Sequence, residues 1–186
     1  MSSDSARTDR AIGAMIFAAF GAAWLEAWVW LSQPEQWWRY LLVAAGGAAL
    51  LGLALRSYRR QRGAELQSPP SAQQRRNGRL FHIINIGQWV VILIGANVLN
   101  NIGLGAWDIP FIILVIGAHF LPLAHLFRRP GHYLTGMAMV LFAVVYPFTA
   151  AGPRSTLGPL GAGLILWASA LWALWSSFRS APPGYD

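Results

Sequence analysis

Six stretches of 17 to 22 mostly apolar residues run along the chain, at 11–31, 40–56, 80–101, 109–127, 132–149 and 157–178. At 1.5 Å per residue, a helix of about 20 residues is about 30 Å long, the thickness of a bilayer's hydrocarbon core. The pattern predicts an all-α polytopic membrane protein, a bundle of six transmembrane helices forming a single integral membrane domain over residues 1–186. Polar residues collect between the stretches. The longest polar segment, 58–79, holds Ser68, Pro69, Pro70 and Ser71 and predicts a flexible cytoplasmic loop. It is also the natural boundary between two packing units. The first stretch is too long for the apolar region of a signal peptide. Ser32-Gln33-Pro34-Glu35 offers no small-residue cleavage site, so the first stretch reads as a retained span.

Composition agrees with the pattern. Hydrophobic residues make up 55% of the 186 positions and charged residues 11%, where a soluble domain carries about 25% charge. A soluble domain of this size has too little interior to hide that much apolar surface. There is no cysteine, which excludes disulfides, thiolate metal sites and thioether-linked haem.

The net charge of +7 comes from 14 basic residues, all of them arginine. They stand beside the apolar stretches rather than along one basic face, so no nucleic-acid partner is implied. With six spans, twelve arginines fall on the side of the termini and only Arg39 and Arg154 on the other. By the positive-inside rule both termini are cytoplasmic, in a bacterial inner membrane. Trp30, Trp37 and Trp38 then form an aromatic belt at the outer interface.

Polar residues at membrane depth are the candidates for chemistry, because an ionisable group there is costly. Glu26 is the one acidic residue inside a predicted span, about 8 Å from its outer end. Asn97 and Asn101 of the third span share a helix face at i,i+4. His119 lies about 15 Å below Ile109, near the midplane. These four side chains fit an outward-opening polar pocket. Glu26 would carry charge or a proton, His119 would hydrogen-bond or titrate, and the asparagines would orient a small-molecule ligand. The same residues also suit interhelical hydrogen bonding, which needs no ligand.

A second group, His82, Asn85, His125, Arg128 and His132, falls toward the cytoplasmic side. Imidazoles there suit a transition metal, or an anionic headgroup together with the arginines. His119 and His125 are six positions apart, about 120° around a helix, and make poor partners for one ion. No H-E-x-x-H pattern occurs. No metal and no cofactor are therefore expected. Pro122 removes the hydrogen bond to the carbonyl of Ala118 and predicts a kink beside His119; Pro147 predicts another in the fifth span. No carboxylate pair, G-x-S-x-G motif or phosphate-binding glycine loop is present, so no enzyme reaction is indicated by motif.

The run Gly117-Ala118-His119-Phe120-Leu121-Pro122-Leu123-Ala124, continued by Phe127, Pro130, His132-Tyr133 and Thr135-Gly136, resembles a pattern in a family of small bacterial multi-span membrane proteins. The likeness covers about 20 residues of the fourth and fifth spans. It implies a bacterial membrane protein and emphasises His119, Pro122, Pro130 and His132, with no activity attached.

Three functions fit these residues. The leading expectation is binding or transport of a small molecule through a polar intramembrane cavity. The second is a membrane-embedded enzyme or lipid-binding protein using the histidine and arginine cluster. The third is a non-catalytic structural or accessory subunit. Membrane lipids are partners in each case, and a symmetric homodimer is a further expectation for a protein of this size.

Overall fold

The structure, a computed structural model, describes residues 3–62, 72–127, 129–149 and 151–179. Among them there is no strand. Six long helices follow one another: α1 (Ser3–Ser32), α2 (Trp37–Arg62), α3 (Ala72–Asn101), α4 (Asp108–Phe127), α5 (Pro130–Val145) and α6 (Leu157–Arg179). Each is long and apolar enough to cross a membrane, α5 when taken together with the 3-10 turn that follows it to Phe148.

Two boundaries differ from expectation. α2 continues to Arg62 and α3 begins at Ala72, so residues 58–62 and 72–79 are helix rather than flexible loop. Arginine and glutamine are good helix formers, and they carry both helices beyond the apolar stretches. Residues 63–71 lie outside the described residues. Pro147 does not kink α5. It sits in a 3-10 turn, Tyr146–Phe148, that follows the helix. Lacking an N–H, it cannot bond to the Ala143 carbonyl, although Tyr146 before it keeps helical dihedrals, φ −60° and ψ −34°. Tyr146 N–H still donates to the Phe142 carbonyl, and the α-helical ladder ends there. Pro122, in contrast, stays inside α4.

The helices group into two compact units. The first holds α1, α2 and residues 166–179 of α6; the second holds α3, α4, α5 and residues 157–165 of α6. The division falls at two places in sequence, between Ser68 and Pro69 and, inside α6, between Ile165 and Leu166.

In the first unit α1 and α2 form a hairpin with a tight turn, closed by Gln36 N–H on the Gln33 carbonyl. The guanidinium of Arg39 lies 5.9 Å from the Trp28 ring and 5.2 Å from that of Trp38. Aromatic faces thus hold one of the two arginines that stand apart from the main basic segments. Gly46 and Gly47 open a notch in α2. A Cβ on Gly46 would come within 2.7 Å of the Trp167 ring, and one on Gly47 within 2.9 Å of the Ala22 Cβ. Trp167 fills the notch, and its Nε1–H donates to the Ala18 carbonyl of α1 at 3.2 Å. Near the other end of α1, Arg10 donates to the Ser176 carbonyl at 3.3 Å. A cation at the C-terminal turn of α6 is favourable against the helix dipole.

In the second unit α4 and α5 form the tightest pair. A Cβ on Gly136 would lie 2.8 Å from the Gly117 carbonyl oxygen, and one on Gly117 would lie 2.9 Å from the Val140 nitrogen. The neighbours are backbone atoms, so only glycine permits the approach. Ile113, Gly117, Phe120, Leu123 and Ala124 are the buried stripe of α4 around this contact. Phe111 packs against Gly95 of α3, and Phe142 against Gly161 of α6. Gly103, at φ +78°, takes the left-handed conformation that turns the chain out of α3.

Candidate functional site

His119 stands in the second half of α4, between the close approach at Gly117 and the proline at 122. Its ring is half-buried, and both ring nitrogens are shielded from solvent without a hydrogen-bond partner. The Ile116 carbonyl lies near enough to interact with the ring but forms no hydrogen bond of ordinary geometry. A neutral imidazole offers one donor and one acceptor. Leaving both unused costs about 1–3 kcal/mol each by protein mutational data. On the neighbouring helix α3, the Gln88 Oε1 is likewise buried and unpaired. His119 is eleven residues from the start of α4 and Gln88 thirteen from the end of α3, or about 17 and 20 Å along antiparallel helices. The two polar groups therefore sit at similar depth on helices packed against each other. Nothing in the residues around Gln88 along the chain signals an unpaired oxygen.

The asparagines work differently from one another. Asn101 Nδ2 donates to Asn97 Oδ1 at 2.8 Å, as their i,i+4 spacing allows. Both are exposed. Asn100 Nδ2 donates to Asp108 Oδ2 at 2.7 Å and to the Ala96 carbonyl at 2.8 Å. It ties the end of α3 to the first residue of α4, where an acidic side chain suits the helix dipole. Asn97 also lines a shallow open depression with Leu93, Ile94 and Val98.

Glu26 stands in the first unit, half-buried on α1. It makes no hydrogen bond or ion pair with the described residues. Asn97, Asn101 and His119 belong to the second unit.

The expected cytoplasmic-side cluster is not gathered into one ligand set. Among the described residues no three His, Cys, Asp or Glu side chains converge closely enough to hold a metal ion. His132 is half-buried, its ring stacked on Phe120 with centroids 6.2 Å apart. His82 and His125 are exposed, Asn85 is half-buried, and Arg128 lies outside the described residues. Phe81 of α3 and Phe127 of α4, with ring centroids 6.0 Å apart, meet at this end instead.

Six apolar helices with few polar groups at depth define a multi-pass, all-α membrane protein. No protein-family model, no curated protein and no solved structure matches the chain.

Proposed function

We propose that this protein of a bacterial inner membrane, with cytoplasmic termini, binds or transports a small polar molecule at an intramembrane site centred on His119. The observation that carries the reading is the pair of buried, unpartnered nitrogens on that ring. Buried polar groups are nearly always hydrogen-bonded, and the exceptions concentrate where a ligand, water or ion belongs. Pro122 adds a second group, since it leaves the Ala118 carbonyl without its helical donor. A ligand with one donor and one acceptor would satisfy the imidazole, and Gln88 would accept a further hydrogen bond. Glu26 is the second candidate for handling charge or a proton, on α1.

The test is a thermal-shift screen of the full chain in lipid nanodiscs against a panel of small polar metabolites. The reading expects a compound that raises the Tm of the wild type and leaves His119→Leu unmoved. A panel that shifts both proteins equally, or neither, speaks against it.

A second reading, an accessory subunit that docks another helix, has one observation in its favour. Ile83, Gly87, Val90, Ile94, Asn97 and Asn101 recur at alternating spacings of four and three along α3, and all six are exposed. That is the spacing of a helix-packing seam, with an asparagine pair at one end able to hydrogen-bond across it. The chain has no cysteine, so single-cysteine variants along α3 report cleanly. Disulfide cross-linking with period 3.5 supports docking along this seam, and uniform lipid accessibility opposes it.

A further inference from the structure

Gly52 is the last glycine before the basic end of α2. A Cβ there would meet nothing within 4 Å, so the helix carries an open notch. The notch belongs to an open groove of about 340 Å3 lined by Gly52, Leu55, Arg56, Arg59 and Arg60. The three arginines stand at i, i+3 and i+4, all exposed and none bonded to the described residues. Three guanidinium groups thus share one wall with an apolar floor.

The depth of this groove identifies its occupant. Arg56 is nineteen residues from Trp37 at the start of α2, or about 29 Å along the helix, close to the ~30 Å of a hydrocarbon core. The tryptophans 37 and 38 mark one interface. The arginines therefore stand at the level of the headgroup phosphates of the other leaflet. From Gly52 back toward Trp37, the same face of α2 presents Ala48, Ala45 and Leu41, all exposed. Gly52 to Leu41 spans about 16 Å, roughly the hydrocarbon thickness of one leaflet. A free phosphate would use only the arginines. A diacyl phospholipid would use the arginines for its phosphate and the shallow apolar track for an acyl chain.

We infer that Gly52, Leu55, Arg56, Arg59 and Arg60 form a binding site for an anionic phospholipid of the inner leaflet. The headgroup phosphate accepts charge-assisted hydrogen bonds from the guanidinium groups, which match its geometry in bidentate fashion. The first acyl segment lies in the notch at Gly52. This site is in the first unit and is independent of the reading of His119.

The full chain is released from nanodiscs into mild detergent and titrated with dioleoyl phosphatidylglycerol or dioleoyl phosphatidylcholine, with bound lipid counted by native mass spectrometry. The wild type retains phosphatidylglycerol in preference to phosphatidylcholine. Replacing Arg56, Arg59 and Arg60 together by glutamine weakens that retention on the order of a hundredfold, since each arginine near an anionic surface contributes about fivefold. Replacing Arg75, Arg76 and Arg79 by glutamine removes the same charge elsewhere and changes it far less. Gly52→Leu fills the notch without changing charge, and it also weakens retention; circular dichroism checks that all three altered chains stay helical. Equal retention of the two lipids overturns the assignment, as does an unaffected Gly52→Leu. Displacement of phosphatidylglycerol by inorganic phosphate at matched concentration, again indifferent to Gly52→Leu, overturns it in favour of a free-anion site.

Discussion

Gly117 of α4 and Gly136 of α5 meet backbone to backbone, with room for no Cβ on either side: one added to Gly136 would lie 2.8 Å from the Gly117 carbonyl oxygen. Backbone cannot rotate aside as a side chain can, so a larger residue separates the helices along their whole contact. Gly136→Val is expected to lose about 1–3 kcal/mol, the usual cost of overpacking. Thermal unfolding in detergent should record a fall of several degrees in Tm. Gly131→Val, at an open position in the same helix, is the matched control and should stay close to wild type.

Trp167 makes two separable contacts, a ring against Gly46 and an N–H on the Ala18 carbonyl. Trp167→Phe keeps most of the ring and loses the hydrogen bond, worth about 1 kcal/mol. Trp167→Ala leaves the notch empty and should cost about 3–5 kcal/mol. Chemical unfolding followed by helical circular dichroism distinguishes the two steps. Equal losses from both substitutions would mean that the ring contact contributes little.

His119 offers a prediction with the opposite sign. Replacing a buried, unpaired polar ring by an apolar side chain removes a desolvation penalty of about 1–3 kcal/mol for each unused nitrogen. His119→Leu should therefore be more stable than the wild type in the absence of ligand. A Tm that falls instead would show that the ring has a partner, and the proposed site would lose its basis.

Orientation is testable with the same cysteine-free background. Glu35, in the α1–α2 turn, and Gln73, in the first turn of α3, are both exposed. In intact cells a membrane-impermeant thiol reagent should label Glu35→Cys and spare Gln73→Cys until the membrane is opened. The reverse pattern would invert the arginine-based topology.

The six spans were legible in the sequence because hydropathy alone fixes their length and place. Their partners were not. Gly46 and Gly47 are adjacent small residues in α2, but nothing in the sequence names Trp167 of α6 as the residue that fills their notch. The arginines and glutamines flanking Pro69-Pro70 read as loop beside such apolar stretches, although their own propensity is helical. Pro147 was visible as a disruption, yet whether a proline bends a helix or finishes it depends on the residues that follow. His119 was visible as a polar residue at depth, and its unpaired state was not, since that depends on every neighbour at once. His82 and His125 are exposed and His132 is half-buried, a difference that position along the chain did not reveal. The resemblance carried by residues 117–136 covers the glycines of the tightest contact and says nothing of their partnership.

One unbroken helix, α6, contributes its first turns to one unit and its remainder to the other. That division has a consequence for the order in which the protein is made. The notch at Gly46 enters the membrane 121 residues before the Trp167 that fills it. At about 5–20 residues per second of synthesis, the wait is roughly 6 to 24 seconds. Throughout it, α1 and α2 form a pair with an open seam, and the second unit lacks its last wall. Neither half can be finished before the ribosome reaches the final span, so truncation near the C-terminus should damage the part of the protein that was synthesised first.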